Sequence, residues 1–291
     1  MLEIPDHALS LDDDLSVAIR AAAKAGEVII KEYGKPHQID EKGVGDLVTP
    51  TDRVAQKVIL DELRRARPRD KRVFEEKEKE EESSPSNTYE ADEAGRCWFV
   101  DPLDATSAFI FEAGEDLPSV MIALRDEGVT RVGVVLFPLT SEYFYAISGG
   151  GAYKNGACLS TANRKAILKK AWIDMNQYGD VEFETRKFAR LRRRLRSEAG
   201  AKEGLVTSQA PHSGIAVRIA EGKRKISAVI HDNNKKKVKQ QSWDVAAPQL
   251  ILEEAGGVFV NFSGERYNLF NPEPLIATVS LDFAMQILRL I

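Results

Sequence analysis

Residues 98–106 read Trp98-Phe-Val-Asp101-Pro-Leu-Asp104-Ala-Thr106, an apolar strand that runs directly into two aspartates three positions apart. The proline between them fixes the turn, so both carboxylates are expected to point at one place beyond the strand end. Hard divalent cations such as Mg2+ prefer oxygen ligands, and the two aspartates with the carbonyl of Leu103 would supply three. A turn that only closes the strand is the alternative, because aspartate and proline are favoured in turns for backbone reasons.

The pattern around this segment predicts two kinds of architecture along the chain. Further strand-like runs with Gly and Pro between them predict an antiparallel sheet, and they lie at 119–124, 132–137 and 142–147. After Gly156 strands alternate with helices, and those elements are expected near 171–175, 181–196 and 243–255. We therefore expect an N-terminal α+β domain (1–152) with most of the site and a C-terminal α/β domain (153–291) that closes it.

Two amphipathic helices are predicted ahead of the sheet. Apolar residues recur at helical spacing from Ser10 to Gly34 and again from Thr51 to Ala66. Between Glu75 and Gly95 the chain is rich in Glu, Lys and Ser, and it has too few apolar residues to pack. We expect that segment to be a mobile loop.

The composition narrows the class of protein. The sequence opens with no apolar leader and contains two cysteines, Cys97 and Cys158, so a reducing cytoplasmic setting is expected. No run of about 18 apolar residues exists that could span a bilayer, so no membrane partner is expected. The 41 basic and 45 acidic residues nearly cancel, which leaves no overall field to recruit nucleic acid.

Three further acidic segments could belong to the same site. One is Asp46-Leu-Val-Thr49-Pro-Thr-Asp52 before the second helix, one is the pair Glu75-Glu76, and one is Trp243-Asp244 at a helix start. Each has an ordinary explanation when taken alone. Thr51, Asp52 and Asp244 could cap helices, and the glutamate pair could be solvated.

Together, and in this order, these segments resemble the inositol monophosphatase family of lithium-sensitive, Mg2+-dependent phosphatases. The resemblance includes the hairpin sequence from Gly149 to Gly156 and the Glu-Ala-Gly-Gly run from Glu254 to Gly257. It implies a layered α/β/α/β/α sandwich of the sugar phosphatase type, an α+β or α/β fold, with the site between its two halves. It also implies two or three Mg2+ ions, a small phosphorylated metabolite as substrate, and a possible homodimer.

The resemblance assigns roles residue by residue. It implies that the metal ligands are Glu75, Asp101, the Leu103 carbonyl, Asp104 and Asp244, with Asp46 at a third, weaker metal position. Glu75 and Thr106 would orient and deprotonate the attacking water, supported by Asp46 and Thr49. Backbone N–H groups from Ala105 to Ser107 would hold the phosphate, because they lie at the expected start of a helix. His212 and Ser213 would lie near the substrate.

Departures from the family pattern concern the substrate and the activity itself. Ala105 replaces the usual glycine and is tolerable only if the backbone there does not need a positive φ. Lys237 stands where inositol-specific members have a glutamate, which indicates either a solvated basic loop or a second phosphate on the substrate. The latter favours a 3'(2'),5'-bisphosphate nucleotide over an inositol monophosphate. Ala105, Ala108 and Phe74 leave open a catalytically silent member that binds a phosphorylated ligand.

A second basic run, from Arg186 to Arg196, interleaves apolar residues at helical spacing. An amphipathic surface helix explains this pattern, because nucleic-acid binding would also need a companion basic surface and aromatic stacking residues. We therefore expect no nucleic-acid partner.

Overall fold

The structure is a computed structural model that describes residues 13–43, 46–76, 95–112, 118–164, 166–177, 186–197, 205–208, 214–222, 226–232, 241–271 and 273–291. Most of the acidic segment expected to be a mobile loop (77–94) lies outside the described residues, as do His212, Ser213 and Lys237.

Seven α-helices occur in the described part of the chain. They are α1 (Asp14–Glu32), α2 (Pro50–Ala66), α3 (Thr106–Ile110), α4 (Arg186–Ser197), α5 (Val217–Glu221), α6 (Ser242–Glu254) and α7 (Leu281–Leu288). Four of them were predicted from apolar spacing, α1, α2, α4 and α6, and these predictions are confirmed. Among the described residues, none of the helices has the length and apolar character needed to cross a lipid bilayer.

The first sheet contains seven strands of the described chain, and a separate two-stranded hairpin precedes it. The hairpin is β1 (Asp40–Gly43) with β2 (Asp46–Val48), and the sheet comprises β3 (Lys71–Phe74), β4 (Cys97–Asp104), β5 (Ser119–Asp126), β6 (Val129–Phe137), β7 (Glu142–Ile147), β8 (Gly151–Lys154) and β9 (Ala157–Leu159). Strands lie in chain order, all antiparallel except the β3–β4 pair. The predicted antiparallel sheet is confirmed.

The second sheet contains five strands of the described chain. They are β10 (Trp172–Gln177), β11 (Leu205–Ser208), β12 (Ile226–Asp232), β13 (Val258–Asn261) and β14 (Leu275–Thr278), in the order β11-β10-β12-β14-β13. β10 runs parallel to β11 and β12, and the remaining pairs are antiparallel.

The change from the first sheet to the second falls after Leu159, later than the expected division between residues 152 and 153. The turn at Asn155 and Gly156 has positive φ at both residues, 45° and 86°. Such a turn folds a hairpin back on itself, so β9 pairs with β8 and extends the first sheet. The division of the chain into two domains stays a prediction.

The strands of the first sheet are apolar on both faces, so each face is covered by a layer of helices. In β4, Trp98 and Val100 face a core shared with α1 and α2, while Cys97 and Phe99 face a second core, as the two-residue period of a strand requires. That second core contains α6, which packs against strands of both sheets, and residues of α4, α5 and α7. The layered α/β/α/β/α sandwich expected from the sequence is confirmed.

The position of α6 is fixed at two points by contacts with the first sheet. A Cβ at Gly133 in β6 would lie 3.0 Å from the carbonyl oxygen of Ala247, so the glycine allows the helix to approach the sheet closely. At the end of α6, the two carboxylate oxygens of Glu254 accept hydrogen bonds from the backbone N–H groups of Gly149 (2.7 Å) and Gly151 (2.9 Å). At its start, Asp244 accepts a hydrogen bond from the Gln241 N–H at 2.6 Å. These contacts place Asp244 near the end of β4.

Candidate functional site

Asp101 and Asp104 lie at the end of β4 and are nearly inaccessible, with 2% and 7% of their surface exposed. Between them the pairing with β5 shifts register, because three steps along β4 face two steps along β5. Pro102 offers no N–H to the ladder, which favours such a bulge. The N–H of Leu103 turns inward instead and donates to Asp101 Oδ1 at 3.0 Å.

The four carboxylates predicted as ligands influence one another electrostatically. Burial raises the pKa of Asp101 well above its usual value, and the charges of Glu75, Asp104 and Asp244 raise it further. Burial and the charges of Glu75 and Asp104 likewise raise the pKa of Asp244. Because such effects require proximity, the structure brings together carboxylates that are up to 169 residues apart in the chain.

These carboxylates do not form a finished coordination sphere. Within the described residues, no three acidic, histidine or cysteine side chains are arranged to hold a metal ion as they stand. Glu75 instead pairs with Lys42 of β1, whose Nζ lies 2.7 Å from Glu75 Oε1 and 2.7 Å from Glu76 Oε1. Burial opposes the charged form of Lys42, but the two glutamates outweigh it and raise its pKa.

The Glu75-Glu76 pair is held by its backbone. The side-chain amide of Gln56 in α2 donates to the carbonyl of Glu76 at 2.7 Å and accepts from its N–H at 2.9 Å. The N–H of Glu75 donates to the carbonyl of Val100 in β4 at 3.2 Å. Burial first, and then the charge of Glu75, raise the pKa of Glu76 to about 8 despite Lys42. The pair is thus fixed between α2 and β4.

Asp52 belongs to the site and was missed as a functional residue. It caps α2 as expected, because its Oδ2 accepts from the Thr49 N–H at 2.8 Å and the Thr49 hydroxyl at 2.7 Å. Its Oδ1 lies 2.8 Å from the hydroxyl oxygen of Thr106, 54 residues away. Burial raises the pKa of Asp52 to about 6, with a smaller contribution from the charge of Glu75.

The signal for Asp52 was present in the sequence, since it is the second aspartate of the D-x-V-T-x-x-D segment. The Thr106 hydroxyl also lies 3.1 Å from the carbonyl oxygen of Leu103. Since a hydroxyl has one proton, it donates to one of these acceptors at a time. Thr49 therefore supports Thr106 through Asp52.

The predicted role of Asp46 stays a prediction. Its backbone lies in β2, but its side chain is outside the described part of the structure. The same holds for the assignments of His212, Ser213 and Lys237 to the substrate.

Ala105 adopts the left-handed conformation, with φ 66° and ψ 48°, directly before α3. The condition under which an alanine is tolerated here without strain, a backbone that does not need a positive φ, is therefore not met. The bulge of β4 must reverse into α3 within one residue, and an alanine there carries strain of about 1–2 kcal/mol. Thr106 and Ser107 form the first turn of α3, where the phosphate-binding N–H groups were predicted.

We expect Ala105→Gly to raise the free energy of unfolding by up to about 1 kcal/mol, because glycine adopts positive φ without a Cβ clash. Thermal unfolding measures this as a rise of about 2–4 °C for 1 kcal/mol in a protein of this size. Ala108→Gly in the following helix is the control and should destabilise by about 1 kcal/mol. Equal destabilisation by both changes would contradict strain at Ala105.

Comparison with known proteins agrees with this geometry. The model of the inositol monophosphatase family matches residues 10–289. Inositol monophosphatase 2 of Solanum lycopersicum is 30% identical over 273 residues, covering 89% of this chain and 91% of that protein. Nus factor SuhB of Escherichia coli (strain K12) is 29% identical over 254 residues, covering 86% and 85%.

The same relationship is visible in three dimensions. The crystal structure of the extragenic suppressor protein suhB from Bartonella henselae superposes with a TM-score of 0.76 at 26% identity, covering 94% of this chain and 96% of that one. Both the sequence match and the superposition extend over nearly the whole chain. The protein therefore belongs to the inositol monophosphatase family.

Proposed function

We propose that this protein is a Mg2+-dependent phosphatase that hydrolyses a small phosphate monoester by attack of water. The observation that carries the proposal is the cluster of Glu75, Asp101, Asp104 and Asp244 at the end of β4, where burial and the neighbouring carboxylates raise the pKa values of Asp101 and Asp244. Keeping several carboxylates together at low exposure costs free energy that a cation would offset. Membership of a family of phosphatases supports the same reaction.

The donor set fits Mg2+, because all of its members are hard oxygen ligands and most carry negative charge. Glu75, Asp101, the Leu103 carbonyl, Asp104 and Asp244 would hold two ions, and Asp46 would help to hold a third. Once bound, Mg2+ supplies positive charge that reduces repulsion between the phosphate and an incoming nucleophile and lowers the pKa of water.

The other residues act on the water and the phosphate. When the Thr106 hydroxyl donates its proton to Asp52, its oxygen is left to accept a hydrogen bond from the attacking water. Thr49 keeps Asp52 in place for this purpose. Glu75 would take the proton of the water as general base. The water oxygen bonds to phosphorus, the ester P–O bond breaks, the leaving oxygen takes up a proton from solvent, and the products are inorganic phosphate and an alcohol.

The substrate class is the finer part of the proposal. Inositol monophosphate and 3'(2'),5'-bisphosphate nucleotides both present a phosphate monoester of suitable size. The Asp104-Ala-Thr106 sequence resembles that of family members acting on phosphorylated nucleotides, and Lys237 in the basic run favours the bisphosphate because an ammonium group would pair with a second phosphate. Comparing the turnover of these two substrates decides between them.

A second candidate is a catalytically silent member that binds a phosphorylated ligand. The strained backbone at Ala105, beside the predicted phosphate-binding N–H groups, favours it. A relative named as a Nus factor also favours a role other than hydrolysis. This candidate predicts Mg2+ binding without phosphate release.

The decisive assay measures phosphate release over a panel of phosphorylated metabolites, with and without Mg2+ and Li+. We expect Mg2+-dependent, Li+-inhibited release by the wild type, and none by Asp101→Asn, which loses a charged ligand shared by the cluster. Asp282→Asn, the same change at the exposed start of α7, should behave as wild type. Near-normal turnover by Asp101→Asn would refute the assignment.

Asp52→Asn tests the path of hydrogen bonds that runs from Thr49 through Asp52 to Thr106. We expect kcat to fall by about 100-fold, the lower end for a group that controls proton transfer, with little change in Mg2+ affinity. Because Asp52 also caps α2, thermal unfolding must show that the variant is folded at the assay temperature. Asp61→Asn, an exposed change in the same helix, is the control, and equal kcat in both variants would exclude the path.

The raised pKa values predict how Mg2+ affects stability at different pH. Asp52 and Glu76 have folded-state pKa values of about 6 and about 8, above the unfolded values near 4. The folded, metal-free protein therefore binds more protons than the unfolded chain does. The stability that this proton binding contributes is lost as pH rises from about 4 to 8. Mg2+ should raise Tm more at pH 8 than at pH 5.5, relative to EDTA, and equal shifts would contradict this.

A further inference from the structure

Asp104 Oδ2 accepts hydrogen bonds from two segments that are far apart in the chain. The hydroxyl of Ser119 donates to it at 3.0 Å, and the backbone N–H of Gly214 donates at 2.9 Å. Ser119 has no exposed surface, and Gly214 is also buried. Two donors that are shielded from water fix the plane of a carboxylate far better than solvent does.

The first donor is positioned by the first sheet. Ser119 begins β5, and its Cα is the register partner of Asp104 across the bulge of β4. Residues directly opposite each other on neighbouring antiparallel strands point to the same face and lie close together. The strand pairing itself therefore brings the Ser119 hydroxyl to Asp104.

The second donor comes from a short 3-10 turn (Gly214–Ala216) that leads into α5. A Cβ at Gly214 would collide with the Ser119 hydroxyl and lie 3.1 Å from Asp104 Oδ2. The φ of Gly214 is outside the left-handed region, so the glycine is needed for closeness and not for an unusual backbone. The N–H, the hydroxyl and the carboxylate thus meet with no space for another atom.

Gly214 is held there by α5, which is anchored to the first sheet. Arg218 is 2% exposed and bonds to Glu142 of β7 at 2.5 Å and to Glu221 at 3.0 Å. Its guanidinium also lies over the ring of Phe137, 4.1 Å from the centroid. Lys154 of β8 pairs with both glutamates. Two cations and two carboxylates balance in charge, and their bonds keep α5, which begins three residues beyond Gly214, in place.

We propose that Ser119 and Gly214 are positioning residues for Asp104, and that they act as a pair, with the Arg218 network holding the second member. This inference rests on the proposed function, in which Asp104 is a Mg2+ ligand. Partners that orient a metal ligand typically contribute 10- to 100-fold to metal affinity. Ser119 from the first sheet and Gly214 from the turn before α5 thus bond to the same oxygen atom, Asp104 Oδ2.

The experiment measures Mg2+ affinity by isothermal titration calorimetry for the full chain and for Ser119→Ala, Gly214→Ala and the double variant. We expect Ser119→Ala to weaken Mg2+ binding about 10-fold. Gly214→Ala should do at least as much, because its methyl group displaces the hydroxyl. In the double variant the effects should not multiply, since the displaced hydroxyl is already absent.

Kinetics and matched variants separate positioning from general damage. For Ser119→Ala, saturating Mg2+ should restore most of kcat while KM for the phosphorylated substrate stays within about 2-fold, because the pair acts through the metal ligand. Ser16→Ala removes an equally buried hydroxyl from α1, which contributes no residue to the site, and should change neither quantity. Ser119→Cys replaces the hydroxyl with a thiol, which is a much weaker donor, and stands in for Ser119→Ala if that variant fails to fold.

The outcomes distinguish this inference from the proposed function. Unchanged affinity in Ser119→Ala, or in Ser119→Cys, when the wild type binds Mg2+ overturns the positioning role alone. Fully multiplicative effects in the double variant overturn the pairing of the two residues. Mg2+ binding without phosphate release in the wild type overturns the proposed hydrolysis but leaves the affinity comparison decisive. No Mg2+ binding by the wild type overturns both.

Discussion

Carboxylates gathered at the end of β4 repel one another, and the surrounding structure must hold them together against that repulsion. Each of them accepts a hydrogen bond from a neighbouring segment or pairs with a cation. Leu103 donates to Asp101, Gln241 to Asp244, and Lys42 pairs with Glu75. Asp52 and Asp104 each accept from more than one donor. The acidic residues are thus held close by bonds to their own supports, although they repel one another.

This arrangement explains why the site lies between the end of β4 and the start of α6, the helix that packs against both sheets. One strand end cannot supply enough carboxylates, so the others come from the segment after β3 and from the start of α6. The close approach of α6 at Gly133 and the contact of Gln56 with Glu76 set the distances between these elements. The geometry of the site is therefore a property of how the layers pack.

The sequence predicted the strands and helices that are strongly patterned, since β4 to β7 are apolar and bounded by turn residues, and α1 and α2 follow helical spacing. It also indicated Asp101, Asp104 and Asp244. Asp52 was missed because capping a helix was a sufficient local explanation, whereas its second role depends on a threonine 54 residues away. For the positive φ of Ala105 the one signal was the glycine that is usual at this position in the family, because alanine itself does not favour that conformation. Ser119 and Gly214 have no local pattern, and only strand register and tertiary packing bring them to Asp104.

The two contacts of Glu254 with the turn between β7 and β8 have a mechanical consequence. α6 is tied at its last residue to the first sheet, while its first turn carries Asp244 into the site. A helix of 13 residues is about 20 Å long and resists compression along its axis. It therefore spans the distance between the rim of the sheet and the acidic cluster, although Pro248 interrupts its backbone hydrogen bonding. Because Glu254 and Asp244 belong to the same helix, an exposed turn of the first sheet and a member of the acidic cluster are joined by one continuous element.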